Sequence, residues 1–158
     1  MTVRPAPDTP LLMLDTNIIS DLMRNPQGKS NTQLQQLMDS ASDVKVCTSL
    51  VVDCEVSFGL RRKPSKSLQQ AYANLLQVVE IMPMDLSVTS HYADLRAHLE
   101  RLGTPIGPND TLIAAHALAL DCTLVTDNEA EFRRVPGLRV ENWLKEEVVK
   151  KVTQVGPR

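Results

Sequence analysis

Aromatic side chains are scarce in this sequence: two Phe, two Tyr and one Trp serve 158 residues. A protein that grips single-stranded nucleic acid by stacking needs a set of rings. No such platform is expected, so any nucleic acid would be held mainly by its backbone. A basic excess is missing as well. The formal net charge is −2, which argues against a general DNA-binding protein. The short clusters Arg61-Arg62-Lys63 with Lys66, and Arg133-Arg134, read first as solvated surface, with phosphate contact as the alternative. Cys47, Cys54 and Cys122 are odd in number and lack metal-ligand spacing, so buried thiols are expected instead of disulfides or zinc ligands. No glycine-rich phosphate cradle is present, which disfavours nucleoside triphosphate chemistry, and no Ser-His-Asp or Cys-His triad is visible. No apolar run approaches the roughly 20 residues of a membrane span. Met1 to Pro10 carries three prolines and no apolar signal core. A cytoplasmic protein without a membrane partner is therefore expected.

What is present is a chain of alternating apolar strands and amphipathic helices. At 158 residues and 42% hydrophobic content, it fits one domain with a sizeable core. Leu11-Leu12-Met13-Leu14 is a short apolar run suited to a strand buried on both faces of a parallel sheet. A helix is expected from Ile18 to Arg24 with Ile19, Leu22 and Met23 inward. A second, capped by Ser30 or Asn31, turns Leu34, Leu37 and Met38 inward. Val44 to Thr48 reads as a strand, and Ser49 caps a helix to about Leu60 on which Val51, Val52, Val56 and Phe58 surround Glu55. Lys66 to Val78 is helical, Val79 to Met84 holds a third strand, and Ser87 to Leu102 has the cleanest helical period, through Val88, Tyr92, Leu95, Leu99 and Leu102. His91 and His98 on its flank read as surface residues. A turn-rich loop from Gly103 to Asp110 leads into the apolar helix Ile113 to Leu120. A fourth strand follows at Thr123 to Thr126, then a helical turn from Glu129 to Arg134 and a last strand at Leu138 to Val140. This order predicts a single α/β domain over residues 11–143 with a mostly parallel sheet flanked by helices, an extension over 1–10 and a frayed or partner-bound tail over 144–158.

In such a fold, ligands collect at the carboxyl ends of the strands. Asp15 ends the first strand, Asp127 the fourth, Asp110 opens the core helix and Glu55 lies on the helix after the second strand. Each has an ordinary alternative: Asp15 is a good helix cap, and Asp110 complements a helix dipole for about 0.3–1 kcal/mol. Together they form a set of acids that repel one another unless a cation intervenes, and all-oxygen ligands select Mg²⁺ or Mn²⁺. Such an ion activates water for attack on a phosphodiester. Asp15, Glu55, Asp110 and Asp127 are thus the candidate catalytic residues, with Asp15, Asp110 and Asp127 the candidate metal ligands. Thr16, Asn17, Asn109, Thr126 and Asn128 are their candidate supports.

The ordered motifs Leu14-Asp15-Thr16-Asn17, the Glu55 helix, Ile106-Gly107-Pro108-Asn109-Asp110 with Ile113-Ala114-Ala115-His116-Ala117, Leu124-Val125-Thr126-Asp127-Asn128, Phe132-Arg133-Arg134-Val135-Pro136-Gly137-Leu138 and Val140-Glu141-Asn142-Trp143 resemble those of PIN-domain VapC toxins, from about Leu11 to Trp143. The resemblance implies a PIN-like fold and a Mg²⁺- or Mn²⁺-dependent endoribonuclease acting on RNA, with tRNA the leading substrate. It also implies a VapB-like antitoxin as partner, and a homodimer within a toxin–antitoxin hetero-oligomer. The family's acids fall on Asp15, Glu55 and Asp110. The fourth position departs from the pattern: Asn128 stands where relatives carry an acid, and Asp127 comes one residue early. Two other classes compete, an inactive PIN scaffold serving as an interaction module and a phosphoacceptor signalling domain. The latter lacks its adjacent acid pair and its lysine here.

Overall fold

The computed structural model describes residues 10–145. The expected extension and tail fall outside the described residues, apart from Pro10, Leu144 and Lys145. Five strands, β1 (Leu11–Leu14), β2 (Lys45–Ser49), β3 (Glu80–Met82), β4 (Thr123–Val125) and β5 (Arg139–Glu141), form a sheet of order β3-β2-β1-β4-β5. All four pairings are parallel, with Leu12 opposite both Val46 and Thr123. Helices α1 (Thr16–Arg24), α2 (Lys29–Asp39), α3 (Leu50–Arg62), α4 (Lys66–Leu75), α5 (Ser87–Arg101), α6 (Pro108–Ala119) and α7 (Glu129–Phe132) account for the rest of the regular structure among the described residues. None is long and apolar enough to cross a membrane.

The central position of β1 explains its sequence. With β2 on one edge and β4 on the other, all four residues are buried, and Met13 and Leu14 are wholly inaccessible. Ile18, Ile19, Ile113, Leu124 and Val125 are equally enclosed, and each such side chain contributes about 1.5–3 kcal/mol through burial. The strand order reverses between β1 and β4, because the chain winds outward through β2 and β3 and then returns to the other side of β1. A crevice opens at such a reversal, outside the carboxyl ends of the two strands. Pro108 starts α6, where its missing N–H costs nothing. The helix then buries Ile113, Ala114, Ala115, His116 and Ala117.

His116 joins three segments. Its Nε2 lies 3.2 Å from the Pro83 carbonyl and its Nδ1 lies 2.8 Å from the Ser49 hydroxyl. A carbonyl only accepts, so Nε2 carries the proton and Nδ1 accepts from Ser49. Ser49 also caps α3 as expected, accepting the Val51 N–H.

Four local expectations need correction. The cap of α2 is Gly28, not Ser30 or Asn31. Ser30 is buried and donates to Asp21, while Asn31 donates to the carbonyls of Leu22 and Asn25. These side chains anchor α2 to the end of α1. Met38, Phe58 and Leu102 face solvent, not the core, because the apolar stripes of their helices are narrower than their sequences suggest. Cys47 and Cys122 are buried thiols, but Cys54 is exposed, since the inward face of α3 is taken by Val52 and Val56. Finally, α4 ends at Leu75, and Leu76 to Val79 form turns before β3.

Candidate active site

Asp15 is both a helix cap and a buried acid, so the two readings of its sequence position are compatible. Its Oδ1 accepts the Thr16 N–H at 2.8 Å at the start of α1. Its Oδ2 accepts the Thr126 hydroxyl at 2.7 Å and the Asn17 amide at 3.3 Å. Only 3% of the residue is exposed. Burial raises its pKa above the ordinary aspartate value despite these donors, and the charge of Glu55 adds to the rise.

Neighbouring hydroxyls and amides fix the acids' orientation. The Thr16 hydroxyl donates to Glu55 Oε2 at 2.8 Å, so the first turn of α1 holds the α3 carboxylate in place. Asn17 Oδ1 accepts the Asp127 N–H at 3.0 Å, and Thr126 Oγ1 accepts the Asn128 N–H at the same distance. The first bond ties the exit of β4 to the exit of β1, and the second closes the turn after β4 on the hydroxyl that holds Asp15. Asn109, by contrast, is exposed on the first turn of α6 and takes part in none of them.

Asp110 sits in the first turn of α6 with its pKa pushed up to about 7. Burial is the largest cause; a hydrogen bond with Glu131 comes next, followed by the charges of Asp15, Glu131 and Glu55. Four carboxyl groups therefore share one neighbourhood. Among the described residues, none of them forms an ion pair with a Lys or Arg. Asp127 lies apart: it is exposed, and its Oδ1 accepts the Asn142 amide at 3.0 Å. Its backbone, not its carboxylate, is bound into the crevice.

Glu131 was not among the acids singled out from sequence. It is held by Asn128, whose amide donates to Glu131 Oε2 at 2.7 Å. The signal was present as Asn128-Glu129-Ala130-Glu131, an N-cap residue followed three places later by Glu at the amino end of a helix. Asn128 thus acts here through the acid it orients.

The chemistry of these donors suits a hard divalent cation. They are all oxygen, and two of them have raised pKa values because they are partly or wholly buried and, secondarily, because other acids lie close by. Among the described residues, no three His, Cys, Asp or Glu side chains are disposed to hold an ion by themselves. The fit is therefore one of donor type and charge.

Comparison with known proteins places this geometry in company. The PIN domain family matches residues 12–138. Ribonuclease VapC2 of Rickettsia felis is 37% identical over 137 residues, covering 85% of this chain and 99% of the relative. The tRNA(fMet)-specific endonuclease VapC of Shigella flexneri is 32% identical, covering 83% of this chain and 96% of the relative. Among solved structures, VapBC2 from Rickettsia felis bound to a promoter DNA fragment aligns with a TM-score of 0.77 at 34% identity, over 84% of this chain and 98% of that one. VapBC-1 from nontypeable Haemophilus influenzae aligns with a TM-score of 0.75 at 29% identity, over 85% and 99%.

Proposed function

Since this chain belongs to the PIN-domain family, among its VapC ribonucleases, we propose that it is a metal-dependent endoribonuclease, the toxin of a toxin–antitoxin pair, hydrolysing RNA at the carboxylate crevice between β1 and β4. The observation that carries this reading is the meeting of Asp15, Glu55, Asp110 and Glu131 with no Lys or Arg ion-paired to them among the described residues. Asp15 and Asp110, with Glu131 beside them, are the residues that would hold Mg²⁺ or Mn²⁺; when bound, such an ion acidifies a water and offsets phosphate charge.

The remaining work falls to the chain itself. Thr126, Asn17 and the Thr16 N–H orient Asp15. Glu55 is held at Oε2 by Thr16, which leaves Oε1 to accept a proton from the attacking water. Asp110 titrates near neutrality, so it is suited to hold a proton or release it when charge in the crevice changes. Asp127 is assigned a lesser, supporting part through its backbone N–H to Asn17.

RNA is the substrate class, with tRNA favoured because relatives at 32% and 30% identity are named tRNA(fMet)-specific endonucleases. The partner is a VapB-like antitoxin, as in the VapBC complexes of similar fold. An arginine of that partner would pair bidentately with a carboxylate of the crevice. Two copies of the chain within a toxin–antitoxin assembly, acting in the cytoplasm through residues 11–143, complete the proposal.

The test is RNA cleavage by protein purified free of other nucleases. Activity with Mg²⁺ or Mn²⁺ should vanish in EDTA and return when the ion is restored. Asp15→Asn should lower the rate by about 10³-fold or more while the melting temperature stays level or rises, since a buried charge is removed. Full cleavage in EDTA would overturn the metal reading. An inert but folded wild type would favour the inactive scaffold.

A further inference from the structure

The sequence offers two phenylalanines, and the fold treats them oppositely. Phe132 is fully buried, whereas Phe58 is 63% exposed. Phe58 is not simply stranded. The Arg62 guanidinium lies over its ring, with Cζ 5.7 Å from the centroid, a cation–π pairing one helical turn along α3. Three residues earlier on the same helix stands Glu55. The spacing Glu55, Phe58, Arg62 runs three then four residues, so all three lie on one stripe of α3. Gly59 belongs to this stripe too, and a Cβ added there would meet nothing within 4 Å. The result is a bare shelf beside a ring and a cation, leading away from a carboxylate of the crevice.

We infer that Phe58 and Arg62 form a docking step for single-stranded RNA, with a base stacking on the open part of the Phe58 ring and a backbone phosphate meeting the Arg62 guanidinium. The inference rests on the ribonuclease reading above and deepens it by naming what holds the strand next to the scissile bond. A base is a suitable occupant because its π-face needs no sequence-specific partner, and stacking on an exposed ring is a recurrent way of holding an unpaired strand. Charge complementarity selects an anionic occupant over an apolar or basic one, since Arg61, Arg62 and Lys63 are exposed cations at the end of α3. The open ring beside them selects a strand with bases to stack over an acidic protein surface, while Glu55 at the other end of the stripe faces the chemistry. The length also fits. Arg62 comes seven positions after Glu55, roughly 10 Å along the helix at 1.5 Å per residue, which is the scale of a few nucleotides. The shortage of aromatics thus does not remove stacking; it confines it to one place.

The experiment measures binding of a single-stranded oligoribonucleotide carrying 2-aminopurine to the full-length chain in EDTA, where no turnover occurs, together with KM and kcat for cleavage in Mg²⁺. Wild-type protein should quench the 2-aminopurine fluorescence. Phe58→Ala should abolish the quenching, weaken binding by about five-fold or more and raise KM with little change in kcat. Phe58→Tyr should restore all three, whereas Phe58→Leu, still apolar but without a π-face, should not. Arg62→Gln should weaken binding less and flatten its salt dependence. Because Phe58 is exposed, thermal melts should coincide. Unchanged quenching in Phe58→Ala, wild-type binding by Phe58→Leu, or loss of antitoxin co-purification with RNA binding intact would each overturn the inference. RNA binding is read without cleavage, so a wild type that binds but does not cut would refute the nuclease reading separately.

Discussion

Glu129 and Glu131 stand two residues apart on the same four-residue helix, α7, and their carboxylates live in opposite surroundings. Glu129 accepts from Lys145 at 2.6 Å, Arg133 at 2.7 Å and Asn142 at 3.1 Å, and its pKa is lowered to about 2, with Lys145 the first cause. Glu131 meets Asp110 instead, and that carboxyl is pushed up to about 7. Residue type and secondary structure are the same for the two glutamates, so what differs is the neighbourhood: cations and an amide surround Glu129, whereas Glu131 faces a partly buried carboxyl among other acids. The Glu129 cluster is complete within the chain and fastens the segment after β5. The Glu131 side is a surplus of acid that no ion pair among the described residues neutralises, as expected where a cation is to bind.

The largest effect expected from breaking this contrast is on cleavage. Glu131→Gln removes a carboxylate from the crowded side and should reduce the rate by about 10²-fold or more, whereas Asp127→Asn, whose carboxylate faces Asn142, should stay within about three-fold. An equally severe loss in Asp127→Asn would place its carboxylate in the site alongside Glu131, and a severe loss in Asp127→Asn alone would make Asp127 the fourth acid. The next effect is on stability in EDTA. Asp110 binds its proton more tightly folded than unfolded, so its ionisation weakens the fold as pH rises from about 4 through about 7. Melting temperatures should fall across that window by an amount equivalent to about 1–2 kcal/mol, after allowing for solvent screening. Asp110→Asn should flatten the fall, and an unchanged slope would remove Asp110 from the crowded set. The smallest effect has the opposite sign. Glu129 is ionised more readily folded than unfolded, so its contribution is present above about 4.5 and disappears as pH drops through about 2. Glu129→Gln should lower the melting temperature slightly at neutral pH, lose that difference in acid, and leave RNA cleavage unchanged.

Much of the fold was legible in the sequence because periodicity and burial agree for the central elements. The run Leu11 to Leu14 is buried throughout, Ser49 caps α3, and the apolar stretch after Asp110 is a core helix. Legibility failed where a side chain's role depends on a distant partner. Ser30 resembles a cap but is drawn inward by Asp21. Phe58 resembles core but sits on a face that no other element among the described residues covers, a matter of tertiary packing that local hydropathy does not encode. In the crevice, Asp15 and Asp110 were visible because each sits at an element boundary. Glu131 is less visible because the short helix carries two acids, and the capping pattern that pairs Asn128 with Glu131 does not say that this carboxylate turns towards α6.

The hydrogen bond from Thr126 to Asp15 joins residues 111 positions apart, and Asn17 reaches Asp127 across 110. Translation adds a time axis to this separation. At about 5–20 residues per second, roughly 6–20 s pass between synthesis of the first acid and synthesis of the hydroxyl that orients it. Glu131 follows later still, and β1 lacks one of its two neighbours until β4 exists. A growing chain thus holds no assembled crevice until β4 and the helix after it have been made. For an RNA-cutting protein made from an RNA template, the threading order itself delays activity until the stretch of messenger encoding Thr126 to Glu131 has been read.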